Sequence, residues 1–183
     1  IPFAVYAKIN LSNTVSCAVR KIRTPMPLVF AAICFASVLA RIPGMMLFGN
    51  DANIERGMTY SGMEMWAFLF SVCIAAPITE EYMFRSVLLR AMRPLGRNAY
   101  LLISSLLFAS LHARGSMLSA FVIALAFGYI AYETGGMRYT TALHMLSNFV
   151  SCVVMLAEMT ENEKLLSAVS LGYSALIFLV GIP

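Results

Sequence analysis

The sequence predicts an all-α fold, a polytopic transmembrane helical bundle with about six spanning helices. Three observations carry that expectation. Hydrophobic residues fill 60% of the 183 positions while charged residues fill 12%, about half the charged share of an ordinary soluble domain. Mean hydropathy is +0.80. The apolar residues also gather into long runs parted by short polar links. Each run is near the length that crosses about 30 Å of hydrocarbon at about 1.5 Å per residue. A single integral-membrane domain over residues 1–183 is the economical reading. The net charge of +4 does not call for nucleic acid, because the basic residues sit between apolar runs, where the positive-inside rule accounts for them.

In chain order, residues 1–26 place Lys8, Arg20, Lys21 and Arg23 around a polar middle (Asn10, Ser12, Asn13, Thr14). They read as an interfacial helix or as the tail of a span lying upstream. The chain opens on Ile1 rather than Met, which leaves room for upstream residues. Its first ten residues lack the basic start and apolar core of a cleavable signal peptide. Residues 28–48 form the first span, crossed by Arg41 and by Pro43-Gly44. Residues 49–63 mix Asp51, Glu55 and Arg56 with Gly and Asn and read as an aqueous connection.

Residues 65–78 are apolar, with Trp66 as an interface anchor. Helix is expected to continue to Met92, until Pro94-Leu95-Gly96 stops it. A helix over 64–92 exceeds one perpendicular crossing, so tilt or a kink at Pro77 is expected. Residues 99–113, 117–132, 139–157 and 165–182 supply the remaining runs. Counting basic residues puts the N-terminal segment, residues 85–97 and Arg138 on the cytoplasmic side, with Arg56, Arg114 and Lys164 opposite, so both termini face the cytoplasm. The four cysteines (Cys17, Cys34, Cys73, Cys152) show no C-x-x-C pair and read as small apolar residues rather than a disulfide framework or metal cluster.

Ionisable side chains at membrane depth are costly and mark function. The stretch Pro77-Ile78-Thr79-Glu80-Glu81-Tyr82-Met83-Phe84-Arg85 carries two carboxylates and an arginine between apolar flanks. Neighbours on a helix project about 100° apart, so Glu80 and Glu81 are expected to do different work. Glu81 and Arg85 stand at i, i+4 in the favourable order for an ion pair. Glu80 is left on another face, where its carboxylate can act as a base toward water. Against this stands the bland alternative that both glutamates only bridge arginines. Arg41 either snorkels or meets one of these carboxylates.

His112 closes a run that begins at Phe108, one turn earlier on the same face. Taken singly, it reads as an interfacial hydrogen-bonder. His144 and Asn148 share a face at i, i+4, a polar patch suited to a developing oxyanion, or else an interhelical hydrogen-bond pair. The chain has only two histidines, and both lie in these patterns. A hairpin turning at Leu95 brings Glu80 and His112 to similar height, about 20–25 Å from the turn, and His144 and Asn148 lie about 12–20 Å up from Gly135-Gly136. All four can therefore meet in one pocket. Hydrolysis without a metal or cofactor needs the fewest assumptions; zinc on Glu80, His112 and His144 is the second choice.

At these residues the sequence resembles the CAAX protease and bacteriocin-processing family of intramembrane endopeptidases, which includes the type II CAAX prenyl proteases. The family pattern is Glu-Glu-x-x-x-Arg, Phe-x-x-x-His and His-x-x-x-Asn. Here it stands as Glu80-Glu81 to Arg85, Phe108 to His112, and His144 to Asn148, with Glu133-Thr134-Gly135-Gly136 before the last. The resemblance covers residues 65–157, the expected catalytic core. It implies that Glu80 and His112 activate the attacking water and that His144 and Asn148 form the oxyanion site, with Glu81, Arg85 and Phe108 in support. It implies a membrane-associated peptide as substrate: a prenylated CAAX C-terminus, a leader or a signalling peptide. The alternative from another class is a non-proteolytic membrane protein, a bacteriocin-immunity factor or proton-coupled carrier that uses the buried Glu/His set for docking or relay.

Overall fold

The computed structural model describes residues 25–49 and 62–159, together with 164, 167, 168, 171 and 172. Among the described residues there are helices and no strands. Five helices form the bundle: α1 Met26–Phe48, α2 Gly62–Leu95, α3 Arg97–Ser110, α4 Met117–Thr134 and α5 Arg138–Met159. The expectations for residues 1–24, for most of the 49–63 connection and for most of the run 165–182 lie outside the described residues.

Four helices, α1, α2, α4 and α5, are long and apolar enough to cross a membrane. The expected crossing at 99–113 differs: α3 has 14 residues, about 21 Å at helical rise. Its apolar run does not end there, but Leu111 caps the helix, and the chain turns into a short 3₁₀ segment, Arg114–Ser116. The outer surface is apolar, with Met46, Leu47, Trp66, Phe70, Leu106 and Phe149 all exposed. That is the inverse of a water-soluble surface and suits hydrocarbon as solvent.

Two helix contacts are close because a glycine makes room. At Gly128 of α4 an added Cβ would stand 3.0 Å from Leu101 Cδ2, and at Gly44 of α1 it would stand 3.1 Å from the Gly115 carbonyl oxygen. Small residues of this kind let membrane helices approach. Ala120 and Ala124 of α4 likewise leave space for the rings of Phe84 and Phe108. A second core joins α1, α4 and α5 through Phe30, Ile33, Cys34, Phe127, Ile130 and Leu143.

Helix α2 is not regular. It contains two π-helical segments, Ser71–Ala75 and Tyr82–Leu88, on either side of Ala76–Glu81. Proline explains the first. In π register an N–H pairs with the carbonyl five residues back, and Ala76 N–H meets Ser71 O in that register. The next pair would run from Pro77 to Val72 O, but proline has no N–H to give. Asn148 of α5 supplies the donor, with Nδ2 2.8 Å from Val72 O. Thr79 Oγ1 donates to Ala75 O at 2.7 Å. Membrane helices tolerate proline through such substitutions, and this one ties α5 to α2 about two turns before Glu80.

Candidate active site

Glu81 and Arg85 form the ion pair that their spacing predicts, Nη1 to Oε1 at 3.3 Å, with side chains 0% and 1% exposed. The guanidinium is held by more than its carboxylate. Nη2 donates to Ala124 O at 3.4 Å. Its Cζ lies 4.7 Å from the ring centre of Phe108, 5.6 Å from Phe84 and 5.7 Å from Phe127. Three aromatic faces around one cation compensate part of its lost hydration.

His144 joins the same carboxylate. Its Nδ1 stands 3.0 Å from Glu81 Oε1. An ionised carboxylate can only accept, so Nδ1 carries the proton and, in the neutral ring, Nε2 keeps its lone pair. Nε2 faces Glu80 Oε2 at 3.8 Å. Arg41 is exposed and has no carboxylate within ion-pair distance, so it pairs with neither glutamate among the described residues.

Glu80 differs from Glu81 as the helix geometry requires. Its side chain is 32% exposed, but Oε2 is buried and has no hydrogen-bond partner. It is thus a carboxylate at the mouth of the site with one oxygen turned inward.

Phe108 is the hub between the two histidines. Its ring centre is 4.6 Å from the His112 ring and 5.9 Å from the His144 ring. His112 lies just past the end of α3, where its Nδ1 is 2.8 Å from Phe108 O. A carbonyl only accepts, so here too Nδ1 is the donor and Nε2 keeps its lone pair when the ring is neutral. His112 and Glu80 are not within ion-pair distance of each other. Asn148 sits one turn beyond His144, with one amide N–H committed to Val72 O.

The structure therefore brings Glu80, Glu81, Arg85 and His144 into direct contact, sets His112 beside them across the Phe108 ring, and places Asn148 on the adjoining turn. Two participants were not singled out from the sequence. Phe127 stands 5.6 Å from His144, and the Ala124 carbonyl receives Arg85; both sit in a uniformly apolar run with no local signal. Among the described residues, no group of three or more His, Cys, Asp or Glu side chains has the geometry to hold a metal ion. The second-choice zinc set of Glu80, His112 and His144 is not assembled.

No curated protein and no solved structure matches the chain. A family match does exist, and it spans residues 62–150, the stretch that runs from the start of α2 through Asn148 of α5. It takes in the two glutamates, the arginine, both histidines and the asparagine. Over residues 62–150, just under half of its length, the chain is similar to the family described as type II CAAX prenyl endopeptidase Rce1-like, and that match together with its long apolar helices points to an integral membrane protein with the general character of a protease.

Proposed function

We propose that the protein is an intramembrane endopeptidase that cuts membrane-associated peptides with a water activated by Glu80 and its neighbouring histidines, without a metal or other cofactor. The observation that carries this reading is the Glu80–His144–Glu81 arrangement inside an apolar bundle. A water bonded at about 2.8 Å to both Glu80 Oε2 and His144 Nε2 would subtend about 85° between them, near its own H–O–H angle. It can give one hydrogen to each acceptor and turn a lone pair toward a scissile carbonyl.

In this scheme Glu80 takes the proton as the water oxygen bonds to the carbonyl carbon. The carbonyl π electrons move onto oxygen. As the tetrahedral intermediate collapses, the C–N bond breaks and the proton passes to the leaving nitrogen. Glu81 orients His144 through Nδ1–H and offsets charge on the ring; Arg85 prevents Glu81 from becoming an unpaired buried anion. The resemblance pairs His112 with Glu80 in activating the water, and its Nε2 lone pair, across the Phe108 ring, is a further acceptor for the proton that Glu80 takes. The developing oxyanion is stabilised by the second N–H of Asn148; His144, with Nδ1–H held by Glu81 and Nε2 accepting from the water, positions that water rather than donating to the oxyanion as the resemblance implies.

The family description favours a prenylated CAAX C-terminal peptide as substrate, and positive-inside counting favours cytoplasmic termini. The test is reconstitution of the full chain in liposomes with a prenylated CAAX peptide and, separately, a hydrophobic leader peptide. Products are read by mass spectrometry with and without a chelator. Cleavage of the prenylated peptide that survives chelation is expected. Cleavage abolished by chelator and restored by zinc would overturn the metal-free scheme. Proton-coupled flux with neither peptide cut would favour the carrier alternative.

A further inference from the structure

At the end of the bundle where α2 stops and α4 turns into α5 lies a cleft of about 330 Å³, lined by Arg85, Ser86, Leu89, Arg90, Arg93, Gly135 and Gly136. Three of its seven lining residues are arginines and none is acidic. We propose that this cleft binds the phosphate of an anionic lipid headgroup. The proposal does not depend on the proteolytic reading.

The charge balance calls for an anion. Glu81 offsets Arg85, but neither Arg90 nor Arg93 has a carboxylate within ion-pair distance among the described residues. Glu133, the acidic residue of the nearby turn, is engaged with Arg97 at 3.5 Å. Donors are also left over where they cannot reach bulk water. Arg93 Nη2 is buried with no hydrogen-bond partner, and so is Nε of Arg85, whose side chain is almost wholly enclosed. Buried guanidinium N–H groups without acceptors are costly, and a phosphate oxygen is the acceptor whose geometry they match. Arg93 is steadied by lying 5.4 Å over the Tyr132 ring.

Shape agrees with charge. Gly135 takes a left-handed φ of 72°, and a Cβ added at Gly136 would meet nothing within 4 Å, so an anion can approach the backbone of this turn. Helix α5 begins two residues on, and its amino end adds a favourable dipole.

Depth selects the lipid over a solute. The membrane-length helix α2 ends at Leu95, α4 ends at Thr134 and α5 begins at Arg138, so the cleft lies where hydrocarbon gives way to headgroups. Basic pockets between helix ends at this level suit phospholipid headgroups.

The test uses the full purified chain in nanodiscs of phosphatidylcholine with or without phosphatidylglycerol, reading bound lipid by native mass spectrometry and the unfolding midpoint. Phosphatidylglycerol is expected to be retained through delipidation and to raise the midpoint. Arg93→Gln should weaken that retention by about tenfold or more, and Arg90→Gln, an exposed position that leaves the core intact, should weaken it as well. Arg114→Gln removes equal charge at the opposite end of α4 and should change it by less than about twofold. Undiminished retention in both cleft variants, or an equal loss in Arg114→Gln, overturns the site. Inorganic phosphate reproducing the whole midpoint rise in detergent would make the ligand a free anion and overturn the lipid assignment.

Discussion

Replacing Arg85 with methionine is the sharpest structural perturbation available, because it keeps an unbranched apolar stem and removes the guanidinium with its charge and donors. Arg85 is 1% exposed and its partner Glu81 0% exposed, so the variant strands a carboxylate in the bundle with the His144 Nδ1–H as its remaining polar contact. Removing one member of a buried pair costs about 3–5 kcal/mol, chiefly through the charge left behind. Loss of the ring contacts adds to this. The folding equilibrium should fall by about two to four decades. The double variant Glu81→Gln/Arg85→Met restores neutrality, and the glutamine carbonyl still accepts from His144. It should recover most of the loss. Reversible unfolding in detergent micelles, followed by helical ellipticity, measures both. If Arg85→Met is as stable as the parent, or the double variant is no better than the single, the account of a charge-balanced Glu81–Arg85 pair is wrong.

Further expectations concern Asn148, Gly128 and the two glutamates. Asn148→Ala leaves Val72 O without a donor and should cost about 1–3 kcal/mol of stability; in a Pro77→Ala background, where residue 77 regains an N–H, the same change should cost less in the same unfolding assay. Gly128→Leu forces α3 and α4 apart at Leu101 and should destabilise by about 1–3 kcal/mol through overpacking, while Gly128→Ala, whose one tight contact is the mobile end of Leu101, should be milder; thermal midpoints rank the two. Glu81→Gln should lower peptide cleavage less than Glu80→Gln, because the amide still holds Nδ1–H of His144; equal losses in turnover would contradict the division of labour between them.

Much of the bundle was legible in the sequence because membrane solvent imposes simple rules. Apolar runs bounded by turn residues located α1, α2, α4 and α5 to within a few residues. The Glu81–Arg85 pair followed from helical spacing. Local rules could not see how α3 ends. Leu111 and Ala113 are as apolar as the residues before them, so hydropathy carries the helix onward, whereas the chain turns to seat His112 against Phe108 O. Nor could they see the partner of Asn148. Its i, i+4 relation to His144 suggested a shared task, but its observed bond is to Val72, a carbonyl orphaned only because a π turn meets Pro77. The link between His144 and Glu81 is a contact between α5 and α2, across 63 residues, and no periodicity in either helix encodes it.

The account's central claim is that Glu80 is the base for a water-borne hydrolysis inside the bundle. The direct measurement is the cleavage rate of a membrane-tethered peptide by the reconstituted parent and by Glu80→Gln, each first shown to unfold at the same temperature. A fall of at least about a hundredfold is predicted, the scale of a lost general base. Cleavage by Glu80→Gln within about twofold of the parent would contradict it.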